Sequence, residues 1–217
     1  MTNIIMDYDG TLHDSIQIYA PSFRKAYEYL VNIGFAQPRN WQDNEISRWL
    51  GYSSKDMWEL FMPNLPDEIK ATASNKIGEA MLQNINDGMA KLYPHSLEVL
   101  QTLKDNGLNL IFLSNCKEKY MDTQRQLFGL QRYFNAFYCT ENYNFKPKYE
   151  IFDSIKEQFH GDFIVIGDRY QDIEVAIKHN LKSIGCAYGF GLYDELKAAD
   201  IIVNDVTEIP LAVSKLL

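Results

Sequence analysis

Short apolar runs recur along the chain, each closed by a turn signal: Ile4–Met6, Leu108–Leu113, Phe163–Ile166, Ser183–Ala187 and Ile201–Val203, with a weaker one at Ala136–Cys139. Between them lie segments whose apolar residues repeat at helical spacing: Ser96–Asn106, Lys117–Phe128, Lys148–Gln158, Gln171–His179 and Tyr193–Ala198. Strand and helix alternating in this way predict an α/β fold, a Rossmann-like parallel sheet with helices on its faces. Leu108–Leu113 and Phe163–Ile166 are apolar on both faces, as central strands covered on both sides should be.

Residues 15–90 follow another pattern. Tyr19, Phe23, Ala26, Tyr27, Leu30 and Ile33 recur at three- and four-residue steps, which predicts one amphipathic helix. Further helical stretches follow at Asp43–Leu50, Ser54–Phe61, Pro66–Ala73 and Lys76–Asn86, with no strand pattern among them. All three tryptophans, Trp41, Trp49 and Trp58, fall here, where they would fill a small bundle core. The expected organisation is therefore a core domain of residues 1–14 and 91–217, interrupted after its first strand by an all-helical domain of residues 15–90. Pro94 marks the return to the core.

Composition narrows the partners. At 217 residues, 46% apolar and 23% charged, the chain reads as globular. A net charge of −8 argues against a nucleic-acid surface, while leaving room for a small anionic substrate held by local lysines and backbone N–H groups. The three cysteines, Cys116, Cys139 and Cys186, have no metal or disulfide spacing and are read as free thiols. No apolar run is long enough to cross a membrane and Met1-Thr2-Asn3 leads straight into a strand, so a cytoplasmic location is expected, as monomer or homodimer.

Four segments carry candidate chemistry. In Asp7-Tyr8-Asp9-Gly10-Thr11-Leu12, two carboxylates two residues apart leave a strand on the same face. Like charges so close call for a cation or a shared proton; the competing reading is an ordinary turn with solvated carboxylates. Ser114-Asn115 offers a hydroxyl and an amide at a strand-to-helix turn, suited to an anion or to helix capping. Lys146-Pro147 places an ammonium at a helix start, for a phosphoryl group or simply for solvent. Asp168 and Asp172 follow Gly167 at a strand end, where they would ligate a metal or cap the next helix. A parallel sheet delivers its strand ends to one edge, so all four loops can build one site there. Taken jointly and in this order, they favour the chemical readings.

With these motifs the sequence resembles the haloacid dehalogenase superfamily, in its phosphatase branch with a helical cap inserted after the first strand. Asp14-Ser15, Tyr188-Gly189-Phe190-Gly191, Glu195-Leu196 and Ala199-Asp200 look like phosphoglycolate phosphatase relatives. The resemblance implies Mg²⁺-dependent hydrolysis of a small phosphate monoester, phosphoglycolate-like or a sugar phosphate. Asp7 would be the nucleophile that takes the phosphoryl group, and Asp9 the acid and then the base. Gly10, Thr11, Ser114, Asn115 and Lys146 would hold the phosphoryl oxygens. Mg²⁺ would be held by Asp7, the backbone carbonyl of Asp9, and Asp168, with Asp172 in support. Gly51 and Tyr52 in the cap, and Arg169, would face the substrate, although Arg169 would equally pair with an acid. His13 would touch the leaving group, or be a solvated or capping residue. Two alternatives stand beside this reading: a sugar-phosphate mutase of the same fold, and a non-catalytic phosphate- or partner-binding module.

Overall fold

The apolar runs pair side by side as six parallel strands: β1 (Thr2–Met6), β2 (Asn109–Ser114), β3 (Ala136–Cys139), β4 (Asp162–Gly167), β5 (Lys182–Cys186) and β6 (Ile201–Val203). The computed structural model describes residues 2–217. Spatial order is β3-β2-β1-β4-β5-β6, so β1 sits inside the sheet, with Ile4, Ile5 and Met6 paired to β2 on one side and β4 on the other. The strand order reverses at β1, and in open α/β sheets the crevice beyond such a reversal is where ligands bind. Met6 is level with both Phe112 and Ile166, which brings Asp7, Ser114 and Asp168 to one edge.

The chain divides into two compact units, residues 1–14 with 92–217, and residues 15–91. The second unit is helical: α1 (Ile16–Asn32), α2 (Asp43–Ile46), α3 (Ser54–Phe61) and α4 (Asp67–Asn86). Where the sequence suggested two helices, at Pro66–Ala73 and Lys76–Asn86, the structure has the single helix α4. Ser74 and Asn75 are poor helix formers but do not break the ladder, and α4 packs extensively against α1. Asn84 of α4 donates from its side-chain amide to Ile18 O and Ser22 Oγ of α1, both at 3.0 Å, so this buried polar group is satisfied. Trp41 and Trp58 are buried, and Phe61 lies within ring contact of all three tryptophans.

In the first unit the strands alternate with α5 (Ser96–Asp105), α6 (Glu118–Leu127), α7 (Lys148–Ile155), α8 (Tyr170–His179), the single turn α9 (Tyr193–Leu196) and α10 (Ile209–Leu216). On one face of the sheet Ile5, Ile111, Leu113 and Val165 pack against Ile151, Phe152 and Ile155 of α7 and Val175 and Ala176 of α8. Fully burying each large side chain contributes about 1.5–3 kcal/mol, so this contact is what fixes α7 and its first residue, Lys148, over the strand ends. Among the described residues no helix is long and apolar enough to cross a membrane.

Candidate active site

Asp7 leaves the sheet with its N–H still bonded to Ile166 O at 2.9 Å. The chain then folds back, and Tyr8 O accepts from the N–H groups of Thr11, Leu12 and His13 at 3.2, 2.9 and 2.9 Å. Gly10 permits this loop: its φ is +86°, and a Cβ there would fall 2.2 Å from the Asp168 carboxylate. Gly189 closes the other side, since its Cβ would lie 2.4 Å from the Asp168 Cβ and 2.5 Å from Gly10 O. Two missing side chains thus let three loops converge on Asp168.

Asp7, Asp168 and Asp172 are buried, with one carboxylate oxygen from each lying within 4.8 Å of the others. One cation stands among them. Lys148 Nζ donates to Asp7 Oδ1 at 2.7 Å and to Asp172 Oδ1 at 2.6 Å. Asp172 Oδ2 accepts from Arg169 N at 3.0 Å, and Asp168 Oδ2 from Phe190 N at 2.6 Å. Asp168 Oδ1 is buried and has no hydrogen-bond partner among the described residues.

Three carboxylates against one ammonium leave a surplus of negative charge, and the proton affinities follow. Burial, and after it Asp172, push Asp7 up to about 7 in spite of Lys148. Burial and then Asp7 raise Asp168 well above the ordinary carboxylate range. Burial opposes the charge on Lys148, but Asp172 and Asp7 together outweigh it and hold the ammonium above the usual lysine range. An all-oxygen donor set with excess charge and an orphaned carboxylate oxygen fits a hard divalent cation such as Mg²⁺.

The carboxylate of Asp9 belongs to a second group. Its Oδ1 accepts from Tyr120 Oη at 2.7 Å and lies 2.9 Å from His13 Nδ1. His13 is fully buried, stacked on Tyr8 with ring centroids 5.0 Å apart. It is thus neither solvated nor a cap. Tyr8 in turn donates from its hydroxyl to Gln124 Oε1 at 2.9 Å.

Of the expected phosphate ligands, Gly10, Thr11 and Ser114 lie buried at the sheet edge and Asn115 is half-buried there. Lys146 does not belong with them. Its side chain is 56% exposed, with Glu150 3.8 Å away, and the lysine in the site is Lys148. Pro147 separates the two: Lys146 ends the loop, whereas Lys148 opens α7 on its buried face with Ile151, Phe152 and Ile155. That stripe at steps of three and four was the signal that sequence reasoning missed. Arg169 is buried and its Nε bonds Glu195 Oε2 at 3.0 Å, the acid-pairing alternative. Gly51 and Tyr52 form a half-buried turn of the helical unit, Gly51 with φ +85°. Cys116, Cys139 and Cys186 are all free.

The model of one family, the haloacid dehalogenase-like hydrolases, matches residues 4–186. The chain belongs to that family. Among relatives of this haloacid dehalogenase-like hydrolase is the phosphoglycolate phosphatase of Vibrio vulnificus, 24% identical over 214 residues, or 95% of this chain and 93% of the relative. A 5'-nucleotidase of Pseudomonas aeruginosa is 26% identical over 210 residues, or 90% of this chain and 87% of its own. A crystal structure from Clostridium acetobutylicum, described as a predicted phosphatase, superposes with a TM-score of 0.83 at 26% identity and covers 99% of both chains. The first motif, the strand-end carboxylates and the lysine of this hydrolase all lie inside the matched span.

Proposed function

We propose that the protein is a Mg²⁺-dependent phosphatase that hydrolyses a small phosphate monoester through an aspartyl-phosphate on Asp7. The observation that carries this reading is the cluster of Asp7, Asp168 and Asp172 around Lys148, with Asp9 held apart from it. A nucleophile must stay ionised while its neighbour exchanges a proton, and separate surroundings provide that division.

Asp7, Asp168 and Asp172, with the backbone carbonyl of Asp9, would hold the Mg²⁺. When bound it offsets the negative charge that otherwise keeps a carboxylate from a phosphate. Lys148 fixes the rotamer of Asp7 and supplies positive charge where the phosphoryl oxygens arrive. Asp7 attacks phosphorus as the P–O ester bond breaks, and the ester oxygen keeps the bonding electrons and takes a proton from Asp9. Water then attacks the aspartyl-phosphate, gives a proton to Asp9, and frees Asp7 and inorganic phosphate. Ser114, Asn115 and Thr11 would surround the phosphoryl group. The helical unit, residues 15–91, would serve as the cap that excludes water and selects the substrate, with Gly51 and Tyr52 as contacts.

The similarity to a phosphoglycolate phosphatase favours a short phosphorylated acid as substrate. The test is phosphate release from a panel of small esters with Mg²⁺ or EDTA, with the Asp7→Asn variant as control. Turnover that needs Mg²⁺ and is lost in Asp7→Asn is expected. Equal rates for Asp7→Asn and the parent would refute the nucleophile.

A further inference from the structure

Asp9 must give up a proton and regain it within one turnover, so the placement of its carboxyl group is a functional variable in the reaction proposed above. Around its Oδ1 the structure gathers two groups from different parts of the chain. Tyr120 comes from the first turn of α6, and His13 from the end of the first loop. The two also meet each other, Tyr120 Oη lying 3.2 Å from His13 Nδ1. A proton must lie between His13 Nδ1 and Asp9 Oδ1 at 2.9 Å, since two bare acceptors would repel at that distance. With Asp9 ionised, Nδ1 is therefore the donor, and Oδ1 receives two hydrogen bonds.

Neither partner is free to turn. Tyr120 and Gln124 are one helical turn apart on the buried face of α6, and the second of them receives the Tyr8 hydroxyl. His13 stacks on Tyr8 at 5.0 Å and meets Phe128 in a tilted contact at 6.3 Å, both between ring centroids. Its Nε2 has no partner among the described residues, so the Nδ1 contact to Asp9 is the one its ring is placed to make. α6 is thereby keyed to the loop at two successive residues, Tyr8 and Asp9. The Asp9 side chain keeps 15% of its surface exposed.

We propose that Tyr120 and His13 are positioning residues that anchor Asp9 Oδ1 and so assign Oδ2 as the oxygen that exchanges the proton with the ester oxygen. This rests on Asp9 being the acid. The P–O bond breaks toward the ester oxygen, the proton passes to it from Oδ2, and Oδ1 keeps its two bonds throughout. Losing either anchor lets the carboxyl group rotate, which weakens proton delivery without removing the acid.

The consequence is read in leaving-group dependence, which a merely structural role would not move. Phenyl phosphate needs its leaving oxygen protonated far more than p-nitrophenyl phosphate does. Tyr120→Phe keeps the ring, and kcat/KM isolates the steps up to departure of the alcohol. Loss of one such bond is expected to lower kcat/KM on phenyl phosphate about tenfold, and several times more than on p-nitrophenyl phosphate. His13→Leu should behave alike, and His13→Asn, which offers an amide N–H near the Nδ1 position, should recover most of the ratio. A matching loss on both esters, or none, in folded Tyr120→Phe overturns the proposal. Asp9→Asn separates the two ideas. If it shows no selective loss on phenyl phosphate, Asp9 is not the acid and the reading beneath fails. If it does while Tyr120→Phe does not, only the positioning role fails.

Discussion

At Lys148 one ammonium meets two buried carboxylates, Asp7 from the end of β1 and Asp172 from the first turn of α8. Removing the partner of buried charges costs about 3–5 kcal/mol where the charges stay unpaired, whereas an exposed ion pair contributes about 0–1 kcal/mol. Lys148→Met is therefore expected to abolish phosphate release and to lower metal-free stability at neutral pH by about 3 kcal/mol. Lys146→Met should leave stability within about 0.5 kcal/mol and keep turnover. Urea unfolding and steady-state rates on the two variants check this, and the reverse ranking would restore Lys146. The pair also shows what a sequence hides at this scale. Asp7, Asp9 and Asp168 were legible because their spacing and placement at sheet termini speak for themselves, and Asp172 because it follows Asp168 by one helical turn. The choice between two lysines flanking Pro147 depended on which one faces inward, and only the stripe Lys148, Ile151, Phe152, Ile155 carries that information. Tyr120 and His13 were illegible as a pair, since a helix face and a loop 107 residues away reveal no mutual contact in one dimension.

At the scale of elements, the strands could be read closely because a strand buried on both faces is a run of apolar residues with little ambiguity. Leu110 to Leu113 and Ile164 to Ile166 are nearly inaccessible to water. The helical unit was harder, because propensity at Ser74-Asn75 argues for a break that packing against α1 overrides. The closing helix α10 was not anticipated at all, and its residues, Ile209–Leu216, are apolar enough to be taken for a tail packed in any form. The loop from Asp7 to Leu12 offers the sharpest test of an element. Gly10→Ala places a methyl group into the Asp168 carboxylate and forces a side chain into the left-handed region. We expect a loss of about 2–4 kcal/mol in stability and Mg²⁺ affinity weakened about tenfold or more, measured by thermal unfolding across a Mg²⁺ titration. Retention of both would mean that the loop and Asp168 separate without penalty.

For the whole molecule, the acidic cluster ties stability to pH, and the proposed Mg²⁺ would tie it to metal as well. Asp7, with its proton affinity raised to about 7, stabilises the fold at low pH and loses that contribution as pH rises through about 7; Asp168 is shifted in the same direction. In EDTA, stability set by these groups should therefore fall as pH goes from about 5 to about 8. A cation that binds only the folded form opposes the trend, by about 2.7 kcal/mol at a hundredfold excess over Kd, and more at high pH, where protons no longer compete. Thermal melts at both pH values, with Mg²⁺ and with EDTA, would show the two curves diverging as pH rises. Parallel curves would remove the metal from the cluster. At this scale the alternation of strand and helix, and its interruption after β1, were plain in the sequence, because periodicity accumulates over tens of residues.

β1 is bonded on both sides along most of its length, and its last link, Asp7 N–H to Ile166 O, reaches the proposed nucleophile. Backbone amides in such a position exchange with deuterium only when the sheet itself opens. The amides from Ile4 to Asp7 should thus be among the slowest in the protein, tracking global unfolding, while those of the exposed loops exchange early. Deuterium uptake at this one strand then reports the integrity of the support beneath Asp7 directly, and loosening of the sheet would register there as an isotope signal.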